Sequence, residues 1–351
     1  NNPMEQWQAR KAAIQYLNTF LSIVDQVSWA KNEVTNKMFI DKLSGEAYGL
    51  RALNYYYLLM AHGGWTEDGK LLGVPMLLEP ESTTSDFNQA RAPFSECVQQ
   101  ILEDLKLASE LLPLDYENID SDAEVPAKYK EIGAQLGNYN LVFGTYQRGR
   151  LTMRIVEAIK AQVALLAASP AYRDGSEVTS ETAANYAAAV LNRIGGVTGL
   201  DPKGHTWYMN TEELDNLGSG EVPAEILWRG NKSIGTEDWD MGIKQEKDNF
   251  PPTFYGSGRI NPTQNLVDAF PMANGYPIAD KANSGYSENA PYTGRDPRLE
   301  KYILFNGAEF KDKTIITGLY PDEDNKQDNG LNQLNTSTRT GYYMRKLLRE
   351  D

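Results

Sequence analysis

Apolar positions along the first half of the chain recur at helical spacing. In 7–24, Trp7, Ile14, Leu17, Leu21 and Val24 share one face, which predicts an amphipathic helix. A second helix is predicted over 45–61, stopped by Gly63 and Gly64. The third is the clearest: Pro93 suits the first turn, Phe94, Val98, Ile101, Leu102, Leu105, Ala108 and Leu112 form one stripe, and Pro113 ends it. A fourth, 151–168, carries Ala158, Ala161, Ala164, Ala167 and Ala168, small enough for close helix packing. A fifth, 180–194, stops at Gly195 and Gly196. These make two helical hairpins and one further helix. No clean 34-residue repeat is visible, although helix pairs separated by long insertions are compatible with degenerate helical repeats.

Beyond Gly196 turn residues are dense: Gly218 and Gly220, Pro251 and Pro252, Gly256 and Gly258, and the stretch from Pro321 to Gly330. Short β-like runs occur at Ile226–Arg229 and Tyr302–Phe305. A short helix is expected to open at Pro262, with Asn261 as its cap and Leu266, Val267 and Phe270 as its buried face. The expected organisation is a helical scaffold over 1–196 and a loop-rich, partly β part over 197–351 laid on it. Long irregular loops in compact proteins usually carry function.

Composition narrows the function. The chain has 351 residues, 41% of them apolar and 23% charged, and a formal net charge of −14. That balance disfavours nucleic-acid or anionic-membrane surfaces, which need clustered Lys and Arg. The most apolar stretch, 155–171, is broken by Glu157, Lys160, Gln162 and Pro170 and falls short of a membrane span. Cys97 is the single cysteine, so no internal disulfide forms; with only His62 and His205, a zinc site of the usual ligands is not expected. Cys97 reads as a partly buried helical thiol and His62 as a structural or capping residue; His205, beside Trp207, is open to a ligand contact.

No catalytic constellation stands out. Ser28 and Lys31 fit an S-x-x-K spacing without its companion motifs, and Gly256 and Gly258 lack a dinucleotide fingerprint. A glycosidase needs only two carboxylates and stays open as a lesser alternative. The loop Asp322–Asp328 invites calcium, yet Lys326 stands where a ligand should be; a solvated acidic loop is the favoured reading, and no cofactor is expected. Aromatics are the positive signal, with 20 Tyr, 6 Trp and 10 Phe. Trp7 and Trp228 read as packed. Trp29, Trp65, Trp207 and Trp239 lie among Gly, Asn, Asp and Lys, as rings that stack on the C–H face of a sugar do.

Several segments together resemble the SusD/RagB family of Bacteroidetes outer-membrane nutrient-binding lipoproteins. The helix from Gly45 through Glu46, Ala47, Leu50, Arg51, Ala52 and Tyr55 to Gly63 and Gly64 is similar to the family's EA-x-x-LRA segment, with His62 where the family usually has Tyr. The step Val74-Pro75-Met76, the run Arg91 to Glu96 opening the helix that ends at Pro113, and Gly149-Arg150-Leu151-Thr152 follow in family order. The strongest match is Asn261 to Gly275, with Tyr292 to Leu299 and Thr340 to Lys346 after it.

The resemblance implies a mainly α fold of tetratricopeptide-like helix pairs carrying a looped, partly β subdomain. It also implies noncatalytic capture of oligosaccharide or polysaccharide, or sometimes of peptide as in RagB-like proteins, above a TonB-dependent SusC-like transporter. The expected location is the outer-membrane surface, through a lipid anchor on a cysteine outside this chain; the sequence reads as an internal portion of a longer lipoprotein. The family's motif residues Asp268, Arg295, Asp296 and Arg298 are expected to be structural, with the charges of 295–298 pairing locally. The candidate ligand contacts are therefore positional: Trp65, Trp207, Trp239, Tyr255 and Tyr286 as stacking platforms, and Asn210, Asp238 and Arg259 as hydroxyl partners.

Overall fold

A computed structural model describes residues 6–202, 204, 208, 211–223, 225–230, 245–318 and 329–350. It contains two compact units, one running to Gly204 and resuming at Leu217–Gly230, the other comprising the short helix Thr211–Asn216 and the described residues from Gln245 onward.

The first unit is helical. Helices α1 (Trp7–Ile23), α2 (Glu33–His62), α3 (Phe94–Leu111), α4 (Ala127–Lys130), α5 (Leu136–Phe143), α6 (Met153–Ala167), α7 (Arg173–Ser176) and α8 (Ser180–Asn192) follow in order. α1 packs on α2, α2 on α3, α3 on α6 and α6 on α8, the neighbour-to-neighbour order of a helical repeat array. The stripe of α3 does what its spacing predicts: Phe94, Val98, Ile101, Leu105 and Ala108 are buried, against Tyr55, Leu58 and Leu59 of α2 and Ile155, Val156, Ile159 and Val163 of α6. Pro93 at the N-cap and Thr152, whose hydroxyl accepts the Ile155 N–H at 3.3 Å, fix two of the helix starts.

Two departures have clear causes. α2 begins at Glu33, a full 30-residue helix whose Asn32 cap accepts the Thr35 N–H at 2.9 Å. Its first turns bury polar groups, Thr35, Asp41 and Lys42, so no apolar stripe announces them. Lys42 Nζ donates to Gln147 Oε1 at 2.9 Å, and Asn138 Nδ2 donates to the Thr35 hydroxyl. Trp7, expected in the core, is 36% exposed at the first residue of α1, edge-on to His62, whose Nε2 accepts the Gln6 N–H.

A buried ion pair holds α2 to α3. Arg51 Nε and NH2 each donate at 2.7 Å to the Asp104 carboxylate, and Arg51 NH1 donates to Asn18 Oδ1 at 2.9 Å. Tyr55, beside them, donates its hydroxyl to the Leu77 carbonyl and accepts the Leu77 N–H. The Arg51 of the LRA segment therefore anchors three pieces of chain at once.

The second unit is built from turns around small sheets and two apolar clusters. β3 (Ile303–Leu304) pairs antiparallel with β6 (Tyr343–Met344), and β4 (Ala308–Phe310) with β5 (Lys313–Ile315), the order following β1 (Gly64–Trp65) and β2 (Leu71–Leu72) of the first unit. The short helix is Gln264–Ala269 and its cap is Thr263; Asn261 instead bonds Gly258 and Arg339. Val267 is buried, whereas Leu266 is 48% exposed. The run Ile226–Arg229 is not a strand: a turn closes from the Ile226 N–H to the Pro223 carbonyl, and Arg229 Nε bonds the Glu221 carbonyl.

Candidate functional site

In the second unit a cleft of about 720 Å³ opens between the helix Gln264–Ala269 and the loop 277–288. Asp268, Lys281, Ser284, Tyr286 and Glu288 bring polar groups to it, and Pro277 and Ile278 an apolar wall. The cleft thus combines apolar contact with polar groups, as small-molecule sites do, but here the polar residues outnumber the apolar ones.

The loop is held from below. Asp280 accepts from the Asn283 side chain and from the N–H groups of Ala282 and Asn283, which keeps its carboxyl below the usual range. Asn274 Nδ2 donates to the Asn283 and Ser284 carbonyls, and buried Ser284 accepts the Tyr286 N–H on its hydroxyl. The Arg295 guanidinium lies 5.6 Å from the Tyr286 ring centroid, a cation–π contact that fixes the ring. Arg295 is 7% exposed and donates to the carbonyls of Pro291, Val267 and Phe270, so it joins the cleft's helix to its loop. Only Asp296 and Arg298 pair locally; Asp296 caps the helix Pro297–Tyr302, and the Arg298 side chain holds its carboxyl down. Asp268, read as structural from the sequence, takes one bond from Gln264 and also lines the cleft. Lys281, Ser284 and Glu288 lacked any sequence signal, since nothing in their local pattern distinguishes them from an ordinary polar loop.

The other candidates among the described residues do not line this cleft. Trp65 is 50% exposed on β1, its indole N–H held by the Ala171 carbonyl at 2.8 Å. Tyr255 is 96% exposed with φ +60°, a left-handed conformation unusual for a bulky residue. Arg259 pairs with Asp248 at 3.3 Å. Among the described residues no ring or ion pair joins Tyr255, Arg259 and Tyr286. Trp207, Trp239, Asn210 and Asp238 lie outside the described residues, as do His205 and the Asp322–Asp328 loop.

Two other expectations are corrected locally. Trp228, expected to be packed, is 37% exposed. Cys97 is fully buried, not partly, and burial pushes its thiol up, away from reactivity. Among the described residues no His, Cys, Asp and Glu cluster could hold a metal, and no helix is long and apolar enough to cross a membrane.

Comparisons with known proteins agree with this fold. Residues 1–130 match a SusD-like family model described as starch-binding and associating with the outer membrane, and residues 224–351 match the SusD family model. No curated protein matches the chain. A SusD-like protein from Bacteroides fragilis aligns over 97% of this chain and 56% of its own, at 23% identity and a TM-score of 0.59. A SusD-like carbohydrate binding protein from the same organism covers 97% and 53%, at 16% identity and 0.56. A SusD superfamily protein from Bacteroides vulgatus covers 99% and 55%, at 15% identity and 0.50. The chain thus spans little more than half the length of the solved structures it resembles. A SusD-like model and the SusD family model match in order at opposite ends of the sequence, and the chain aligns over 97% of its length with a SusD-like structure: the protein belongs to the SusD/RagB family.

Proposed function

We propose that this chain captures oligosaccharide at the outer-membrane surface, without altering it, and passes it to a SusC-like TonB-dependent transporter. The observation that carries the reading is the Tyr286 cleft, in which an aromatic ring is fixed by Arg295 beside carboxylates, a lysine and hydroxyls. A pyranose presents a C–H face to such a ring and hydroxyls to such neighbours. Family membership and the likeness to a SusD-like carbohydrate binding protein support the same class of ligand. Tyr255 and Arg259, in the same unit as the cleft, are further candidate contacts, and Trp65, Trp207, Trp239, Asn210 and Asp238 are candidates on sequence grounds alone. Weak contact at each position suits repeated engagement and release.

The test is calorimetric titration with neutral and acidic oligosaccharides, with chromatography of the same samples for products. Saturable binding with no new products is expected. Tyr286→Ala should weaken it about tenfold, the loss typical of truncating a stacked aromatic, whereas Tyr286→Phe should bind nearly as the parent does. Released fragments would overturn the noncatalytic reading. Binding of peptides but of no sugar would replace it with RagB-like peptide capture.

A further inference from the structure

A second cleft, of about 330 Å³, lies wholly within the helical unit, between the start of α6 and the stretch Leu217–Gly230. Trp228 forms one wall. Its Nε1–H donates to the Gly149 carbonyl at 2.9 Å, yet the residue remains 37% exposed. A large apolar ring is thus fixed in place while part of its surface faces water, and a ligand that stacks on it meets little further ordering cost. Ile155 and Tyr116, both buried, line the floor.

The polar groups around it are pre-set in pairs. Arg148 donates to Glu117 Oε1 at 2.7 Å and to Glu221 Oε1 at 3.0 Å, bridging the helical layer and the Leu217–Gly230 stretch. Asp115 is gripped by Arg154 through two bonds, at 3.0 and 2.6 Å, and Arg150 pairs with Glu46 at 3.0 Å. Gly220 makes the bridge possible. Its φ is +72°, and a Cβ there would stand 2.5 Å from the Arg148 carbonyl. Arg148 serves two acids, so four carboxylates (Asp115, Glu117, Glu221 and Glu46) meet three guanidiniums, and the small negative excess around the cleft disfavours an anionic ligand. Spare lone pairs on the carboxylates and spare N–H groups on the guanidiniums still accept from and donate to hydroxyls.

We propose that the Trp228 cleft is a second carbohydrate site, selective for neutral pyranose chains, in which Trp228 is the stacking platform and Arg148, Glu117 and Glu221 bind ring hydroxyls. The proposal rests on the oligosaccharide reading above for its class of ligand, but on none of the residues of the Tyr286 cleft. Its volume, at the small end of ligand pockets, suits about one or two sugar rings of a longer chain.

The experiment follows the indole N–H signals of the whole chain, which has six tryptophans, by heteronuclear NMR. The Trp228 signal is assigned by its disappearance in Trp228→Phe. Maltohexaose, mannohexaose and xylohexaose are titrated in turn, with hexagalacturonate as the charged comparator. At least one neutral hexasaccharide should shift the Trp228 signal saturably, in the parent and equally in Tyr286→Ala. Gly220→Ala, which displaces the Arg148 wall without touching the indole, should weaken that response about tenfold, and Trp228→Ala should remove the corresponding step from a calorimetric titration. A Trp228 signal that stays fixed while Tyr286-dependent binding proceeds overturns the second site and leaves the proposed function standing. A shift that vanishes in Tyr286→Ala also overturns it, as an indirect response. Response to hexagalacturonate alone overturns the neutral class, and no binding at either cleft overturns both readings.

Discussion

Removing Asp104 from the Arg51 pair should destabilise the helical unit far more than its single charge suggests. Asp104 is fully buried and Arg51 is 6% exposed, and the carboxylate takes two 2.7 Å bonds from the guanidinium and a third from Gln100 at 3.1 Å. In Asp104→Ala the guanidinium keeps Asn18 and the Leu78 carbonyl but loses its counter-charge in a site that water does not reach. Stranding one member of a buried pair costs about 3–5 kcal/mol. Asp104→Asn keeps the shape and loses the charge, and should cost about 1.5–3 kcal/mol. Arg51→Met combined with Asp104→Leu removes both charges and should recover most of the loss, because paired desolvation disappears with paired attraction. Urea unfolding followed by far-ultraviolet circular dichroism reads these differences as shifts of the midpoint at constant slope. A loss below about 1 kcal/mol in Asp104→Ala, or a double variant destabilised by the sum of its singles, would refute the assignment of this pair as the clamp between α2 and α3.

Lys42 supplies a pH signature. Burial, partly offset by Glu46 and reinforced by Arg150, lowers its pKa to about 8 from an ordinary 10.5. Between those values the unfolded chain holds a proton that the folded chain has released, so stability should rise with pH from about 8 to 10.5, by about 1–3 kcal/mol after screening. Urea titrations across that window should show the rise in the parent and not in Lys42→Met; a parallel profile in both would remove Lys42 as its cause. The paired glycines after α2 should respond unequally. A Cβ on Gly63 would stand 2.6 Å from the Leu59 carbonyl, the group its own N–H bonds, whereas nothing lies within 4 Å of one on Gly64. Gly63→Ala should cost about 1–3 kcal/mol and Gly64→Ala less than about 0.5, measured as melting or urea midpoints.

The sequence by itself determined α1, α3, α6, α8 and the second half of α2, because repeated burial of one face leaves a period that survives without neighbours, whereas α4, α5 and α7 are too short to show one. The α3 stripe between two prolines is the clearest case, and the helices ending at His62 and beginning near Thr152 carry their stops and caps in local chemistry. The motif order from Gly45 to Lys346 likewise carried the family. What only the tertiary structure decided is where polar and aromatic groups meet. The early turns of α2 bury Thr35, Asp41 and Lys42 because partners arrive from residues such as Asn138 and Gln147, about a hundred positions away. β3 and β6 are two residues each, too short for alternation to show, and exist by pairing across some forty residues. Tyr286 is tied to the helix that carries Asp268 through Arg295, which belongs to neither segment. Trp228 looks apolar in its run and is instead held at a surface by the Gly149 carbonyl. A helix is a local periodic solution to burial, whereas a binding cleft is a meeting of distant residues that no local pattern encodes.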